Sequence, residues 1–391
     1  MHDIPEFKLD QIARSYGPRS KVALHGSAPF ALSLDALRDL SDDKRSPIST
    51  DIPLSYAPSL GTPELRQRLA DIYSTEESPL TEEHVVITPG SIMANYLVLT
   101  TTCTKGDHVI CQFPTYGPLY LLPKYLGVEL DYWVMEEENS WYPNIEVLKA
   151  MVRPNTKAII LTNPGNPTGT VLSKRTLEQV RDMAKEFNVT IIGDEVFRPL
   201  FHDNTPAPPS VISLGYDKTV STGSVSKAYS LAGIRIGWII SRDKEILQRV
   251  IAARDYTTLN VSRIDDAIAL FALSPDVRPK IIQHNLHTQA RNMGIFDQFI
   301  QRNSGRCKWM PPAGGGTAFI HFSSLNGESI DEMAFADRLI DEFGLSVIPA
   351  RAGFSEEGVA DFRGYLRFNL GQRTEVVIEG LRMIESAMKD L

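Results

Sequence analysis

The sequence predicts an α/β protein: a large domain built on a mostly parallel seven-stranded sheet, joined to a smaller α+β domain. Three observations predict it. Short apolar, β-rich runs alternate with amphipathic stretches at HVVIT (84–88), DHVICQF (107–113), VELDYWVM (128–135), KAIILT (157–162), VTIIGD (189–194), KTVST (218–222) and IRIGWIIS (234–241). The runs are apolar on consecutive positions, as strands covered on both faces require. From residue 242 to about 303 the pattern turns helical, and the remainder reads as an α+β unit.

Helix starts are legible between the strands. Thr62-Pro63-Glu64 puts a capping side chain before a proline at the first helical position, and Leu65, Leu69 and Ile72 then form one stripe. Ser173 likewise precedes Leu177, Val180 and Met183. The C-terminal unit reads as strand TAFIHF, helix SIDEMAFADRLIDEF, strand LSVIPA, strand GYLRFNLG and helix TEVVIEGLRMIESAMKDL. Residues 45–285 are therefore expected to form the large domain, and residues 1–44 with 286–391 the small one.

Composition narrows the function classes. A chain of 391 residues with 42% hydrophobic and 23% charged residues is an ordinary globular composition. Forty-eight acids against 40 bases give a net charge of -8, which argues against nucleic acid as the main partner. No apolar run approaches the roughly 20 residues needed to span a bilayer, and residues 1–20 show no secretory signal. Cys103, Cys111 and Cys307 form no CxxC pair, so the expectation is a reduced, cytoplasmic protein without a metal site.

In open α/β sheets ligands sit beyond the carboxyl ends of the strands, so the residues just after each run are the candidates. After HVVIT, Gly90-Ser91-Ile92 feeds a helix N-terminus, which suits a phosphate, although such junctions are common turns. After DHVICQF comes Tyr116, which reads alone as a core tyrosine and in context as a ring that lies on a planar ligand. After KAIILT, the loop Asn163-Pro164-Gly165-Asn166-Pro167-Thr168-Gly169 is far more constrained than a plain turn needs. Asp194 and Glu195 close a buried strand, where an acid needs a cation or a donor. Ser224, Ser226 and Lys227 follow KTVST, with Arg235 eight positions beyond the lysine. An amine desolvated there becomes nucleophilic toward carbonyls. Arg367 lies within the strand YLRFNLG, where an arginine is costly unless it grips an anion.

One ligand asks for a phosphate cradle, a ring-stacking aromatic, an acid for a ring nitrogen and a lysine for an aldehyde: pyridoxal 5'-phosphate. In order and spacing, Asn-Pro-Gly-Asn-Pro-Thr-Gly, Asp-Glu-Val, Ser-x-x-Lys and Arg235 resemble the fold-type-I pyridoxal-phosphate enzymes. The match is to their class I/II aminotransferase family, whose fold is that of aspartate aminotransferase, and it runs from about Leu24 to the C-terminus. The resemblance implies a Schiff base on Lys227, which also shuttles the proton, and Asp194 on the ring nitrogen. It implies Asn166 on the ring's phenolic oxygen, and Ser91, Ile92, Ser224 and Arg235 on the phosphate. Tyr116 would stack on the ring, Arg367 would hold the substrate carboxylate, and Gly26 would close near the substrate. Tyr56 would reach across a homodimer, with shared active sites, to the neighbour's cofactor.

One position departs from the family. Phe197 stands where a tyrosine usually donates to the phenolic oxygen, which predicts a raised pKa for the Schiff base and leaves the reaction type open. The first expectation is an aminotransferase acting on an amino acid through a quinonoid intermediate. The alternative is a biosynthetic enzyme of β/γ-elimination or cyclisation, similar to capreomycidine synthases, and the third is a cofactor-binding regulator. Glu195 reads as structural, Arg198 and Arg263 as solvated or interface residues, and His284 and His287 as helix surface.

Overall fold

The computed structural model describes residues 4–202 and 207–390. Seven strands form the large sheet: β1 (Val85–Thr88), β2 (His108–Phe113), β3 (Glu129–Val134), β4 (Thr156–Thr162), β5 (Thr190–Asp194), β6 (Thr219–Ser224) and β7 (Gly237–Ser241). Their order across the sheet is β1-β7-β6-β5-β4-β2-β3. Neighbours from β6 to β3 pair in parallel, whereas β7 runs against both β6 and β1. Each strand coincides with one of the apolar runs. Every residue of β1, β2, β5, β6 and β7 is buried, which is why those runs lack a polar alternation.

Helices cover both faces. Thr62 caps the helix Pro63–Tyr73 through the Leu65 amide at 3.4 Å, and Ser173 caps Lys174–Glu186 through the Thr176 amide at 3.1 Å. One face packs Val98, Ile110, Ile159, Leu177 and Val180 together, and the other Leu65, Leu69, Ile87, Trp238 and Phe271.

A third core gathers Leu24 with Phe296, Phe322, Leu366 and Leu381. It lies under an antiparallel sheet ordered Ile348–Pro349, Tyr365–Asn369, Thr317–Phe322, Cys307–Trp309. The segment read as one strand, LSVIPA, divides in two. Leu345–Ser346 pairs in parallel with Val22–Ala23, and Ile348–Pro349 joins the four-stranded sheet. Pro349 has no amide hydrogen, so the chain can end pairing there. The helix before it starts at Glu332, capped by Asp331, and its last turn widens to a π-turn over residues 339–343. The long helix Arg278–Arg302 roots Ile281 in the second core and Phe296 and Phe299 in the third.

Candidate active site

Because β7 is antiparallel, its start lies at the same sheet edge as the ends of β1, β2, β4, β5 and β6. A cavity of about 200 Å³ opens at that edge. Its walls include Ser91 and Ile92 after β1, Tyr116 after β2, Asn166 after β4, Asp194 at the end of β5, Lys227 after β6 and Arg235 before β7. A larger depression of about 680 Å³ beside Arg45 and Phe271 is an open surface feature without such convergence.

Asp194 is 3% exposed. Its Oδ2 accepts from Asn95 Nδ2 at 2.8 Å and its Oδ1 from the Val196 amide at 3.1 Å. Asn95 is held in turn by Thr222 Oγ1, which donates to its Oδ1 at 2.6 Å. Desolvation outweighs these bonds and raises the Asp194 pKa to about 6. Lys227 Nζ donates to Ser27 Oγ at 2.9 Å. Its burial, reinforced by the charges of Arg367 and Arg235, lowers its pKa to about 8 against the pull of Asp194. A basic and an acidic group thus share one closed space, each pushed toward its neutral form, a common mark of a reactive site.

A helix N-terminus and an arginine adjoin them. The helix Gly90–Thr102 directs its first amides at the cavity, and Gly90 has φ +79°. A Cβ on Gly90 would stand 2.3 Å from Arg235 Nη2, so only glycine lets the guanidinium lie over that helix end. Arg235 Nη1 donates to Ser226 Oγ at 3.3 Å and to the Ala232 carbonyl at 2.9 Å. Ser226, rather than Ser224, faces the cavity. Ser224 Oγ sits behind it, accepting from the Ser226 amide at 3.0 Å and bonding the Ile236 carbonyl at 2.9 Å.

Arg367 approaches from the four-stranded sheet and is 2% exposed. Its Nη1 donates to Asn166 Oδ1 at 3.3 Å and its Nη2 to the His25 carbonyl at 2.5 Å, while Nε has no hydrogen-bond partner. A buried guanidinium bonded to an amide and a carbonyl, with no carboxylate, is desolvated, and its pKa falls to about 10. Tyr116 packs edge-on against Phe7, ring centroids 5.3 Å apart, and burial raises its hydroxyl to about 12. Phe197 is 1% exposed and lines the cavity with an edge that can donate no hydrogen bond.

Besides Ser224 and Arg367, which meet the cavity wall through Ser226 and Asn166, two candidates are not on it. Gly26 is not on the cavity wall, although Ser27 beside it is. Tyr56 is 83% exposed, in a depression with Asn260 and Arg263. Glu195 turns away from the cavity and accepts from Ser210 Oγ, the Val211 amide and Ser221 Oγ. Sequence reasoning misses Ser27, Asn95 and Thr162. Of these only Asn95, a lone amide in the apolar stretch SIMANYLVL, leaves a signal in the sequence. Among the described residues no group of three or more His, Cys, Asp or Glu is placed to hold a metal ion, and no helix is long and apolar enough to cross a membrane.

Known proteins resemble this chain in sequence and fold. The family model "Aminotransferase class I and II" matches residues 50–382. An aspartate aminotransferase of Pyrococcus horikoshii is 25% identical over 335 residues, 85% of this chain and 83% of that protein. A capreomycidine synthase of Streptomyces vinaceus is 28% identical over 295 residues, 75% of this chain and 72% of that one. The solved structure of a PLP-dependent aminotransferase from Streptococcus suis superposes with a TM-score of 0.89 at 30% identity, covering 99% of this chain and 98% of that chain. The chain belongs to the class I and II aminotransferase family.

Proposed function

We propose that this member of the class I and II aminotransferase family binds pyridoxal 5'-phosphate at Lys227 and transaminates an amino acid. The observation that carries the reading is a buried arginine without a carboxylate, Arg367, next to a cavity that holds Lys227 and Asp194. The residues present fit the cofactor. Helix amides, two serine hydroxyls and the Arg235 guanidinium suit a phosphate, and the hydrogen-bonded Asp194 carboxylate suits a protonated ring nitrogen. When bound, the cofactor supplies an aldehyde that condenses with amines and a ring that withdraws electrons from the substrate Cα.

The chain's own residues supply the rest. Ser91, Ser226 and Arg235 would hold the phosphate. Asp194, fastened by Asn95 and the Val196 amide, keeps a proton on the ring nitrogen through its negative charge. Tyr116, on the cavity wall, would offer its ring as a flat face to the cofactor. Arg367 takes the substrate α-carboxylate on its free Nε edge, with Asn166 beside it, and that orients the Cα–H bond toward Lys227. Lys227 Nζ, already lowered to about 8, accepts the Cα proton and returns it.

The exposed apolar residues Leu54, Tyr56, Tyr256 and Leu259 support a homodimer in which Tyr56 reaches the partner's cradle. Elimination or cyclisation is the second reading, favoured by Phe197 and by the similarity to a capreomycidine synthase. Borohydride reduction of cofactor-loaded protein followed by peptide mapping should place the modification on Lys227, and Lys227→Ala should lose both the modification and activity. An unmodified Lys227 in loaded protein would refute the reading. With a panel of amino acids, a keto acid and aminated cofactor identify transamination. A cyclic or eliminated product with unchanged cofactor identifies the second reading.

A further inference from the structure

Three amides, Asn285, Gln289 and Asn292, run down one face of the helix Arg278–Arg302, four and three residues apart, and all are buried at 2%, 0% and 0% exposure. The outer two are fully engaged. Asn285 donates to the Ala228 carbonyl, next to Lys227, and lies 3.0 Å from Ser230 Oγ, which donates to it. Asn292 donates to the Leu370 and Gln372 carbonyls at 2.8 and 2.7 Å, just past the strand that carries Arg367, and accepts from Thr374 Oγ1 at 2.9 Å. Gln289 lies between them, and neither its amide oxygen nor its nitrogen makes a hydrogen bond. A primary amide buried without partners is among the costliest polar groups a core can hold, and such groups call for a reason.

Its surroundings supply one. A Cβ placed on Gly316 would stand 3.5 Å from Gln289 Nε2, 3.4 Å from Phe197 Cε1 and 3.2 Å from the Ser27 carbonyl. Phe197 and Ser27 are walls of the cavity, so the amide lies just behind them, and no side chain at Gly316 stands between. A primary amide offers one acceptor and two donors, so the partner that satisfies it best also both donates and accepts.

We propose that Gln289 determines substrate specificity: its amide receives the end of the amino-acid side chain and selects a neutral group that both donates and accepts hydrogen bonds, such as a carboxamide or a ureido group. The inference rests on the functional reading above, since it presupposes an amino acid held by Arg367. A site built to bond such a group penalises analogues that lack it, because the amide is then left unpaired.

The test compares wild-type, Gln289→Leu and Gln289→Met holoenzymes, reading the cofactor absorbance change with glutamine, asparagine, citrulline, leucine, glutamate and arginine. Thermal midpoints are measured without amino acid. In the wild type, the neutral polar substrates lead. In both variants they lose about tenfold or more in kcat/KM, mainly through KM, while leucine stays within about twofold. The thermal midpoint holds or rises, because the unpaired amide is gone. A uniform loss across all the amino acids, or a lowered midpoint with selectivity intact, makes Gln289 a structural brace and overturns the proposal. Were no amino acid to alter the cofactor in the wild type, the functional reading would fall and this inference with it. A wild-type response with unchanged selectivity in the variants overturns this inference alone.

Discussion

The four-stranded sheet and the carboxyl edge of the seven-stranded sheet are closed to solvent to a similar degree but filled differently. In the first, Phe322 packs against Phe335 and Phe368 at 6.0 and 6.2 Å, and Phe319 stacks on Tyr365 at 4.6 Å. Burial there removes apolar surface from water and stabilises the fold outright. At the second, burial falls on Lys227, Asp194 and Arg367 and works against their charges, lowering the two bases and raising the acid. The strand Tyr365–Asn369 belongs to both regions, since Leu366 and Phe368 join the apolar core while Arg367 meets Asn166. One region gains stability from what it buries, and the other holds charges that burial disfavours.

The comparison can be broken from either side. The largest effect on folding is expected from Phe322→Ala, which should lower stability in denaturant unfolding by about 3–5 kcal/mol. Activity per folded molecule should stay within about twofold, and a loss of turnover at unchanged stability would dissolve the distinction. Arg367→Lys keeps the charge but loses the planar fork, so KM for any amino acid should rise about 100-fold with little change in unfolding midpoint.

Asp194→Asn sharpens the contrast through pH. The folded pKa of about 6 lies above the ordinary 3.8, so the folded state holds that proton more tightly than the unfolded chain. The stability this gives is present below pH 4 and is lost as pH rises through 6. Cofactor-free Asp194→Asn should therefore be more stable than the wild type by about 3 kcal/mol at pH 7.5 and within about 0.5 kcal/mol of it at pH 4. Denaturant unfolding at both values measures this, and a constant difference at both would contradict it. The smallest effect is expected from Phe197→Tyr, which restores a donor and should lower the midpoint of the loaded protein's absorbance titration by about one pH unit.

The strands are legible because each is a continuous apolar run with a turn signal after it, and a buried parallel sheet writes itself into sequence in that way. Residues at strand ends, such as Asp194 and Arg235, can be listed for the same reason. What stays hidden is which faces meet. Gln289 lies far along the chain from Phe197, and nothing in HNLHTQARNMG separates its amide from the partnered Asn285 and Asn292. Ser226 and Ser224 are equivalent in a small-residue loop until the turn decides which hydroxyl faces inward. The split of LSVIPA between two sheets likewise depends on partners distant in sequence.

The reversed direction of β7 sets a tether length. A crossover to a parallel neighbour would carry the chain to the far side of the sheet and back, whereas the link from β6 to β7 begins and ends on one side and spans only residues 225–236. The amine of Lys227 and the guanidinium of Arg235 are therefore leashed to each other by a single short segment. Their spacing is set within that segment, and a deletion there would displace both groups at once.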